Sequence, residues 1–423
     1  MLFVYRCLTC ALFPFFVFLI YFRSIFNKED KLRFKEKIFT SSFKANRNNK
    51  NKLIWFHAAS VGEILSILPL IEELNNSNKN IDFLVTSVTL SSSKMLEKQL
   101  NQYNNITHRF FPLDVESLAE NFLNTWRPDL ICFVDSEIWP NFLFKIKEKK
   151  IPLVLINGRI TKKTFNRWKV FPNFASRVFS NFDLCLAASK ESKNNLEQLQ
   201  VKNLAYLGNL KFTAKNIKKN LNESNKKTLD NFKVWCAAST HKGEELIVLK
   251  THVEIKKKYN NILTIIIPRH INRVSYIKNL ASSFELNSQI LNDSDIIQTD
   301  TNILIINSFG VLSKYFNYCK NIFIGKSFIK KLQLDGGQNP LEAAKLGCAV
   351  FHGPYVYNFQ EVYDLLKSYG ISKQVNDEKE LSKIIIENFE NPKKINEQQI
   401  DLLNIYGERI LKQTTAELSK LIK

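Results

Sequence analysis

The chain has 423 residues, of which 45% are apolar and 24% charged, and its formal net charge at pH 7 is +20. The apolar fraction excludes an intrinsically disordered chain, and the length predicts two or three domains rather than one. The excess of positive charge favours an anionic partner without choosing among a nucleic acid, an anionic membrane surface and a phosphorylated substrate.

The first predicted element is the apolar segment CLTCALFPFFVFLIYF, from Cys7 to Phe22. A helix that crosses a bilayer needs about 20 apolar residues, so the segment predicts a membrane anchor at 1–22, either crossing or shallow. A cleaved signal peptide is the alternative, but no small-x-small cleavage site follows. The basic stretch after the segment predicts that the rest of the chain stays on the cytoplasmic side. Its cations are Arg23, Lys28, Lys31, Arg33, Lys35, Lys37, Lys44, Arg47, Lys50 and Lys52.

Strand-like apolar runs then alternate with helical patterns. In chain order they are LIWFHAA before EILSILPLIEEL, IDFLVTSVT before SSSKMLEKQL, LICFVDS before WPNFLFKIKEKK, IPLVLING before a basic region, and DLCLAAS before KESKNNLEQLQ. Such an alternation predicts a parallel sheet with helices on both faces.

The polar stretch NIKKNLNESNKKTLDN, at 216–231, predicts an interdomain linker, and the alternation restarts after it. The second series contains VWCAAST, ILTIIIPRH, NILIINS, NIFIGKS and CAVFHGP. The predicted fold class is therefore α/β, with two Rossmann-like domains at 23–215 and 232–423 that face a central cleft. Ligands are expected at the carboxyl ends of the strands.

The seven cysteines are odd in number, and several lie inside apolar runs, which predicts reduced cysteines in a cytosolic compartment. Cys7 and Cys10 form a C-x-x-C pair, but no second pair and no nearby His accompany them. The six histidines have no zinc-ligand spacing either, so no metal site is expected.

Glu63 lies in FHAASVGEIL, where the first strand gives way to a helix. Ser60 and Glu63 match the capping box, with Ser60 as N-cap and Glu63 at N3. Glu63 also lies at the predicted ligand-binding edge, beside Gly62, which would let a ligand approach the backbone. The helix N-terminus would favour the ionised carboxylate that a general base requires. The local pattern supports both a cap and a base.

Three further side chains are candidates for the site, two at the ends of predicted strands and one, Lys211, just before the predicted linker. Glu137, in VDSEIWPN, is either a first-turn carboxylate or part of a pair with Glu63. Lys211, in YLGNLKF, is either solvated or a positive charge for a leaving phosphate. Arg269 follows the apolar strand ILTIIIPRH and must emerge at the ligand edge, where it is either an anion ligand or a solvated cation.

The strongest local signal is DGGQNPLEAAKLG. Asn339 is predicted as N-cap, Pro340 as N1 and Glu342 as N3 of a helix that ends near Gly347. The N–H groups of this helix could bind an anion, and Glu342 could accept hydrogen bonds from ribose hydroxyls. No Walker A motif, no G-x-G-x-x-G and no D-x-D pair occurs, which disfavours a kinase, an NTPase and a metal-dependent transferase.

Eight of these motifs follow one another as they do in a known family. HAASVGEI, DSEIWPN, NGRIT, GNLKF, AASTHKGEE, IIIPRH, GGQNPLEAAKLG and FHGPYVYNFQE resemble, in this order, the 3-deoxy-D-manno-octulosonic acid (Kdo) transferases. These are inverting glycosyltransferases of the GT-B fold, and the resemblance covers essentially the whole chain, including the N-terminal anchor.

The resemblance implies transfer of Kdo from CMP-Kdo to a tetra-acylated lipid A precursor, lipid IVA, at the cytoplasmic face of the inner membrane. It implies that Glu63 is the general base and that Glu137 and Lys211 stabilise the transition state. It also implies a nucleotide site made of Pro268, Arg269, Ser308, Phe309, Gly310, Val311, Asn339, Pro340, Leu341 and Glu342. The implied partners are CMP-Kdo, the phosphorylated lipid acceptor and anionic membrane lipids, with no nucleic acid, no metal and no cofactor.

Four residues depart from the family pattern around the nucleotide site. Gln338 replaces a usual His, Asn307 and Val311 replace two usual acids, and Lys326 stands where a Gly is usual, before a longer and more basic loop. Backbone contacts to CMP could survive these changes, whereas side-chain contacts from the lost groups could not.

Two other functions remain as alternatives. The first is a GT-B glycosyltransferase that uses a different nucleotide sugar. The second is a non-catalytic basic protein of a membrane surface, against which the two carboxylates at strand ends argue.

Overall fold

The computed structural model describes residues 1–44, 50–100, 103–215, 220–392, 395 and 397–422, except for the side chain of Lys98. Arg47 of the basic stretch and 216–219 of the predicted linker therefore lie outside the described residues. Contacts divide the chain into two compact units, one made of Met1–Lys215 with Tyr406–Lys423 and the other of Asn216–Ile405.

The first unit is built on a parallel sheet whose seven described strands are ordered β3-β2-β1-β4-β5-β6-β7. The strands are β1 (Lys52–His57), β2 (Ile81–Ser87), β3 (Ile106–Phe110), β4 (Leu130–Val134), β5 (Leu153–Gly158), β6 (Leu184–Ala187) and β7 (Leu204–Tyr206). The helices are α1 (Leu2–Ile25), α2 (Val61–Ser77), α3 (Leu90–Leu100), α4 (Glu116–Trp126), α5 (Pro140–Glu148), α6 (Lys162–Lys169), α7 (Pro172–Phe179) and α8 (Lys190–Gln198).

The second unit repeats this plan, with seven described strands ordered β10-β11-β9-β8-β12-β13-β14. They are β8 (Lys233–Thr240), β9 (Ile262–Pro268), β10 (Ser288–Leu291), β11 (Ile303–Ile306), β12 (Asn321–Ile324), β13 (Ala349–His352) and β14 (Ser372–Gln374). The helices are α9 (Glu223–Leu229), α10 (Glu244–Lys256), α11 (Val274–Ser282), α12 (Leu312–Phe316), α13 (Leu341–Lys345), α14 (Gln360–Ser368), α15 (Glu378–Glu390) and α16 (Glu397–Ser419).

Every strand pair in both sheets is parallel, which confirms the predicted α/β class and its two Rossmann-like sheets. The central strands are buried along their whole length because helices cover both faces of a parallel sheet. Trp55 in β1 and Trp235 in β8 lie fully buried at the centres of the two cores. The carboxyl ends of the strands are thereby held as a rigid edge on each unit.

Part of the predicted linker is a helix. Residues Glu223–Leu229 form α9, in which Asn225 and Leu229 are buried. The side chain of Asn225 donates to the carbonyl of Asp295 at 3.0 Å and accepts from the N–H of Ile297 at 2.9 Å. The stretch is poor in large apolar residues because one leucine and one hydrogen-bonded amide are enough to dock so short a helix.

The end of α16 belongs with the first unit, although it follows the second unit in sequence. The ring of Tyr406 packs edge-on against Phe212, with centroids 4.9 Å apart. Ile410 lies against Gly208, where a Cβ would meet its side chain at 2.6 Å. The sequence analysis assigns 232–423 to one domain because nothing in the helical pattern marks where its packing partner changes.

Candidate active site

The first unit brings Glu63, Glu137 and Lys211 to one edge of its sheet. Glu63 follows β1, Glu137 follows the neighbouring strand β4, and Lys211 follows β7 in a short 3-10 turn at Leu210–Thr213. All three lie past the carboxyl ends of parallel strands, where α/β proteins bind ligands. Glu63 and Glu137 are predicted there for the same reason, whereas Lys211 is predicted only to lie just before the linker.

Glu63 makes a variant of the capping box at the start of α2, in which its carboxylate accepts the N–H of the residue before the N-cap. Ser60 is the N-cap and its hydroxyl accepts the N–H of Glu63, at 3.4 Å. Glu63 Oε2 in turn accepts the N–H of Ala59 at 2.8 Å, and Glu63 Oε1 accepts the hydroxyl of Ser60 at 2.7 Å. The carboxylate is therefore held in one orientation by the local fold.

The ionisation of Glu63 differs from the sequence-based expectation that the helix N-terminus favours its ionised form. Burial raises its pKa to about 7, and the negative charges of Asp135 and Glu137 act in the same direction. Hydrogen bonds from Ser60 and Ala59 lower the pKa but do not offset the burial. A carboxylate with a pKa near 7 is well matched to a general base, because it binds a proton readily and is still substantially ionised at neutral pH.

Glu137 is held by two nitrogen atoms. Its Oε2 lies 3.0 Å from Nε2 of His57 and accepts a hydrogen bond from Nε1 of Trp139 at 2.8 Å. His57 is fully buried, and its ring stacks on Phe111 with centroids 3.8 Å apart. Glu137 is not a first-turn carboxylate of α5, because that helix begins at Pro140, and a buried imidazole at the end of β1 fixes its orientation.

The tautomer of His57 follows from Glu137, whose carboxylate can only accept a hydrogen bond. Nε2 of His57 lies 3.0 Å from Oε2 of Glu137, so a ring proton is assigned to Nε2, from which it is donated to Glu137. At the other nitrogen, Nδ1 lies 3.0 Å from Oγ1 of Thr86, which accepts from Nε1 of Trp55 at 2.9 Å.

Lys211 is not a solvated lysine. Its Nζ donates to Oδ2 of Asp135 at 2.7 Å, and both side chains are largely buried. Asn157, at the end of β5, donates its side-chain amide to Oδ1 of Asp135 and accepts the N–H of Leu210 at 2.8 Å. Asp135 therefore joins Lys211 to the same strand ends that carry the two glutamates.

The backbone is strained at two of these positions. Asp135 has a φ of 57° and Asn157 a φ of 54°, in the left-handed region that residues with a side chain rarely occupy. Asp and Asn tolerate this region best, and their side chains bond to each other across neighbouring strands. Strained residues of this kind are concentrated at functional sites, which supports a role for this edge.

The second unit holds the predicted nucleotide-binding residues at the carboxyl edge of its own sheet. Pro268 ends β9 with its side chain buried, and Arg269 follows it, exposed. The N–H of Arg269 donates to the carbonyl of Thr240 at 3.0 Å, which ties it to the neighbouring strand β8. Among the residues described, the guanidinium of Arg269 has no carboxylate within ion-pair distance, as an anion ligand requires.

The segment from Ser308 to Val311 follows β11. Phe309 is 65% exposed, Gly310 has a φ of 69°, and Val311 is buried at the start of α12. Asn307 donates its side-chain amide to Asn292 at 2.9 Å. Since the side chain of Val311 points into the core, it could contact a nucleotide only through its backbone.

The predicted helix after Asn339 is present but short. It is α13, Leu341–Lys345, and Pro340 rather than Asn339 is its N-cap. The side chain of Asn339 accepts the N–H of Leu341 at 3.1 Å, so the predicted residue caps the turn, although the helix begins one residue later than predicted. Glu342 lies in the first turn, Leu341 is buried, and Gly347 ends the helix with a φ of 71°, as predicted.

The buried carboxylate of Glu244 holds the loop that contains Lys326, one of the residues that depart from the family pattern. Glu244 lies at the start of α10, and both of its carboxylate oxygens accept backbone N–H groups. Oε2 accepts the N–H of His241 at 2.9 Å and that of Lys326 at 2.7 Å. Oε1 accepts the N–H of Ser327 at 2.8 Å and that of Phe328 at 3.1 Å. Burial raises the pKa of Glu244 even so. Lys326 is held with a φ of 59°, a conformation that suits glycine.

Three residues of the first-unit site are not predicted from the sequence: His57, Asp135 and Asn157. Each lies in one of the motifs HAASVGEI, DSEIWPN and NGRIT, directly at or after the end of a strand. Their signal is weak, because a lone His, Asp or Asn at a strand end is most often a cap. Only the order of the strands shows that β1, β4 and β5 are neighbours.

Comparison with known proteins gives concordant results. A family described as "3-Deoxy-D-manno-octulosonic-acid transferase (kdotransferase)" matches residues 32–214. A 3-deoxy-D-manno-octulosonic acid transferase of Rickettsia bellii is 32% identical over 374 residues, which cover 88% of this chain and 85% of that protein. A protein of the same name from Haemophilus influenzae is 25% identical over 379 residues, which cover 87% of this chain and 85% of that protein.

A solved structure is similar in fold. UDP-GlcNAc 2-epimerase from Neisseria meningitidis, bound to UDP-GlcNAc, matches with a TM-score of 0.58 and 19% identity, covering 87% of this chain and 100% of that one. At this identity the likeness concerns the fold, and it agrees with the two parallel sheets described above.

Proposed function

This chain belongs to the family of 3-deoxy-D-manno-octulosonic acid transferases, and from this premise we propose that it moves Kdo from CMP-Kdo to a phosphorylated lipid A precursor. The enzyme is a glycosyltransferase of lipopolysaccharide biosynthesis. The acceptor proposed is lipid IVA. The first unit binds this acceptor, and the second unit binds the CMP-sugar.

The observation that supports the proposal most is Glu63. A hydroxyl acceptor needs one base when it displaces CMP with inversion, and no covalent intermediate is then required. Glu63 is held by Ala59 and Ser60, and its pKa lies near 7. In the proposed reaction it takes the proton of the acceptor hydroxyl as the new glycosidic bond forms.

Glu137 and Lys211 stabilise charge in this proposal. The donor carbon becomes positively charged as its bond to the CMP oxygen breaks, and a carboxylate held by His57 and Trp139 favours that charge. Lys211 faces the negative charge on the leaving phosphate, with Asp135 holding its Nζ in place. In the second unit, Arg269 and the backbone of 308–311 and 339–342 bind CMP. The proposal requires neither a metal nor another cofactor.

The phosphorylated lipid acceptor gives a purpose to the net charge of +20 and to the apolar N-terminus. Within the described part of the chain, α1 is long and apolar enough by length and composition to cross a membrane. We propose that the enzyme attaches through α1 to the cytoplasmic face of the inner membrane, where anionic lipids bind its lysines. Nucleic acid is not a proposed partner.

The test is incubation of the full-length protein with CMP-Kdo and lipid IVA, with the lipid products resolved by mass spectrometry. We expect a lipid heavier by one Kdo residue, or by more if transfer repeats, together with released CMP. Release of UMP from a UDP-sugar, with none of CMP from CMP-Kdo, would instead support a different nucleotide-sugar transferase. Binding to vesicles with no transfer from any nucleotide sugar would support a non-catalytic membrane-surface protein.

A further inference from the structure

The side chains of α1 fall into two stripes. One stripe contacts the first unit and recurs every three or four residues, so it occupies one side of the helix. Its members are Tyr5, Thr9, Phe13, Val17, Ile20 and Ser24. The other side exposes large apolar side chains along the whole helix, at 78% for Phe3, 59% for Phe15, 65% for Phe18 and 62% for Ile25.

Polar contacts fix the first half of α1 to the unit. The hydroxyl of Tyr5 donates to Oδ2 of Asp114 at 2.7 Å. Arg6 pairs with Glu116 at 2.9 Å, and the side chain of Asn141 donates to the hydroxyl of Thr9 at 3.2 Å. Asp114 is buried and also accepts the N–H groups of the first turn of α5, so the carboxylate joins α1 to the helix that follows Glu137.

The second half of α1 is fixed as well. Phe13, Val17 and Ile20 pack with Phe34 and Ile38 in a small apolar cluster. Beyond this cluster Ser24 is buried, and the guanidinium of Arg23 donates to Glu29 at 2.9 Å. Contacts to the unit therefore extend from one end of the helix to the other.

These contacts conflict with a helix that crosses a bilayer. From Tyr5 to Ser24 the helix rises about 28 Å, which is nearly the thickness of the hydrocarbon core, about 30 Å. A crossing α1 would either carry Asp114, Glu116 and their neighbours to hydrocarbon depth or lose its contacts to them. A charged side chain at the centre of a bilayer is strongly disfavoured, because hydrocarbon cannot solvate it.

We propose that α1 lies in the plane of the membrane surface and does not cross it. The stripe that contacts the first unit stays in place, and the exposed stripe enters the lipid to the depth typical of interfacial helices, about 5–10 Å. In such helices the side away from the lipid is usually charged. Here the protein itself covers that side.

A second exposed apolar tip adjoins the helix. Val170 and Phe171, between α6 and α7, are 65% and 51% exposed, and Phe174 in α7 lies against Tyr5 with ring centroids 6.4 Å apart. Exposed lysines that are close in sequence to these apolar segments would be attracted to an anionic lipid surface. They are Lys28, Lys31, Lys35, Lys163 and Lys169. The occupant of this surface is therefore an anionic bilayer.

The cysteines allow a direct test by fluorescent labelling. Cys7 and Cys10 are exposed on α1, whereas the other five are buried. In the full-length Cys7→Ser, Cys10→Ser protein, single reporters are placed by Phe3→Cys, Phe18→Cys and Ile25→Cys and labelled with NBD. The proteins are added to vesicles of phosphatidylethanolamine and phosphatidylglycerol. The depth of each NBD probe is measured with lipids that carry a quencher at a known depth.

For a helix in the plane we expect all three probes at similar shallow depths, each reduced by dithionite added outside the vesicles. A crossing helix gives a steady change of about 1.5 Å per residue and protects the probe at position 3 from dithionite, which would overturn the proposal. The readout needs no donor or acceptor, so it does not depend on the proposed transfer reaction.

A matched pair of variants tests the surface itself. Phe18→Gln removes an exposed apolar side chain of α1, and Ile405→Gln removes one of similar exposure, 62%, in α16. We expect weaker vesicle binding for Phe18→Gln alone, with the melting temperatures of both unchanged. Equal vesicle binding by both variants would contradict the proposal. Light scattering that shows a dimer of the protein, together with no binding to vesicles, would contradict it as well.

Discussion

Oδ2 of Asp135 accepts a hydrogen bond from Nζ of Lys211 at 2.7 Å, and the same carboxylate helps to raise the pKa of Glu63. One side chain thus positions the cation proposed for the leaving phosphate and adjusts the proposed base. The relationship predicts a change in pH dependence that a purely structural Asp135 would not produce.

Asp135→Asn should shift the acidic limb of the profile of transfer rate against pH to lower pH. Glu63 acts as a base only when ionised, so activity should fall as pH drops through about 7. Removing the negative charge of Asp135 lowers the pKa of Glu63, because that charge disfavours its ionised form. The measurement is kcat/KM against pH for both proteins. Asp230→Asn, at an exposed position, should leave the limb in place, and an unmoved limb in Asp135→Asn would contradict the coupling.

His57→Gln should lower kcat by roughly tenfold to a hundredfold, with a smaller effect on KM. The variant loses the imidazole that holds Glu137, and a hydrogen bond to a charged group contributes about 1.5–3 kcal/mol. Steady-state kinetics with varied CMP-Kdo separate the two constants. His252→Gln changes another fully buried His, one bonded to Thr264 in the second unit, and should leave kcat near that of the wild type. Equal losses in both would indicate a general packing effect.

Gly62→Ala should raise stability and lower activity. Apart from its chain neighbours and the backbone of its own helix, no atom of the described residues lies within 4 Å of a Cβ built at Gly62, so the fold has room for a methyl group. Ala is favoured over Gly in a helix interior by about 1 kcal/mol and by less in the first turn, where Gly62 lies, which predicts a slightly higher melting temperature. A methyl group beside Glu63 would obstruct an acceptor that approaches the backbone. Asn76→Ala, exposed in the same helix, should leave transfer unchanged, and full activity of Gly62→Ala would contradict close approach.

Lys326→Gly should stabilise the second unit by about 0.5–1 kcal/mol, because its φ of 59° strains a residue with a Cβ. Lys326→Ala is the matched control, since it removes the same pairing with Asp335 but keeps the Cβ. Thermal unfolding of the three proteins compares them. The expectation is wrong if Ala and Gly have the same effect.

The interior of the fold could be predicted from sequence, but its edges could not. The described strands without a matching apolar run are β3, β7, β10 and β14, and these are the outermost strands of the two sheets. They are short and only partly buried, whereas the central strands are buried throughout. A strand covered on two faces needs a continuous apolar run, and an edge strand does not.

The same limit applies to the candidate site. Glu63 stands out locally through its capping box, whereas Lys211 lies just before the predicted linker, where a lysine is most often solvated. Asp135 and His57 gain meaning only from partners 76 and 80 residues away, Lys211 and Glu137. Contacts across neighbouring strand ends depend on strand order, which local pattern does not determine.

The measurement that tests the central claim most directly is the rate of Kdo transfer from CMP-Kdo to lipid IVA by Glu63→Gln. Gln at N3 can still accept the N–H of Ala59 and bond to Ser60, so the melting temperature should stay close to that of the wild type. It cannot take a proton, so transfer should fall at least ~100-fold, the scale of general-base catalysis. A folded Gln variant that transfers Kdo at the wild-type rate would show that Glu63 caps α2 and is not the base.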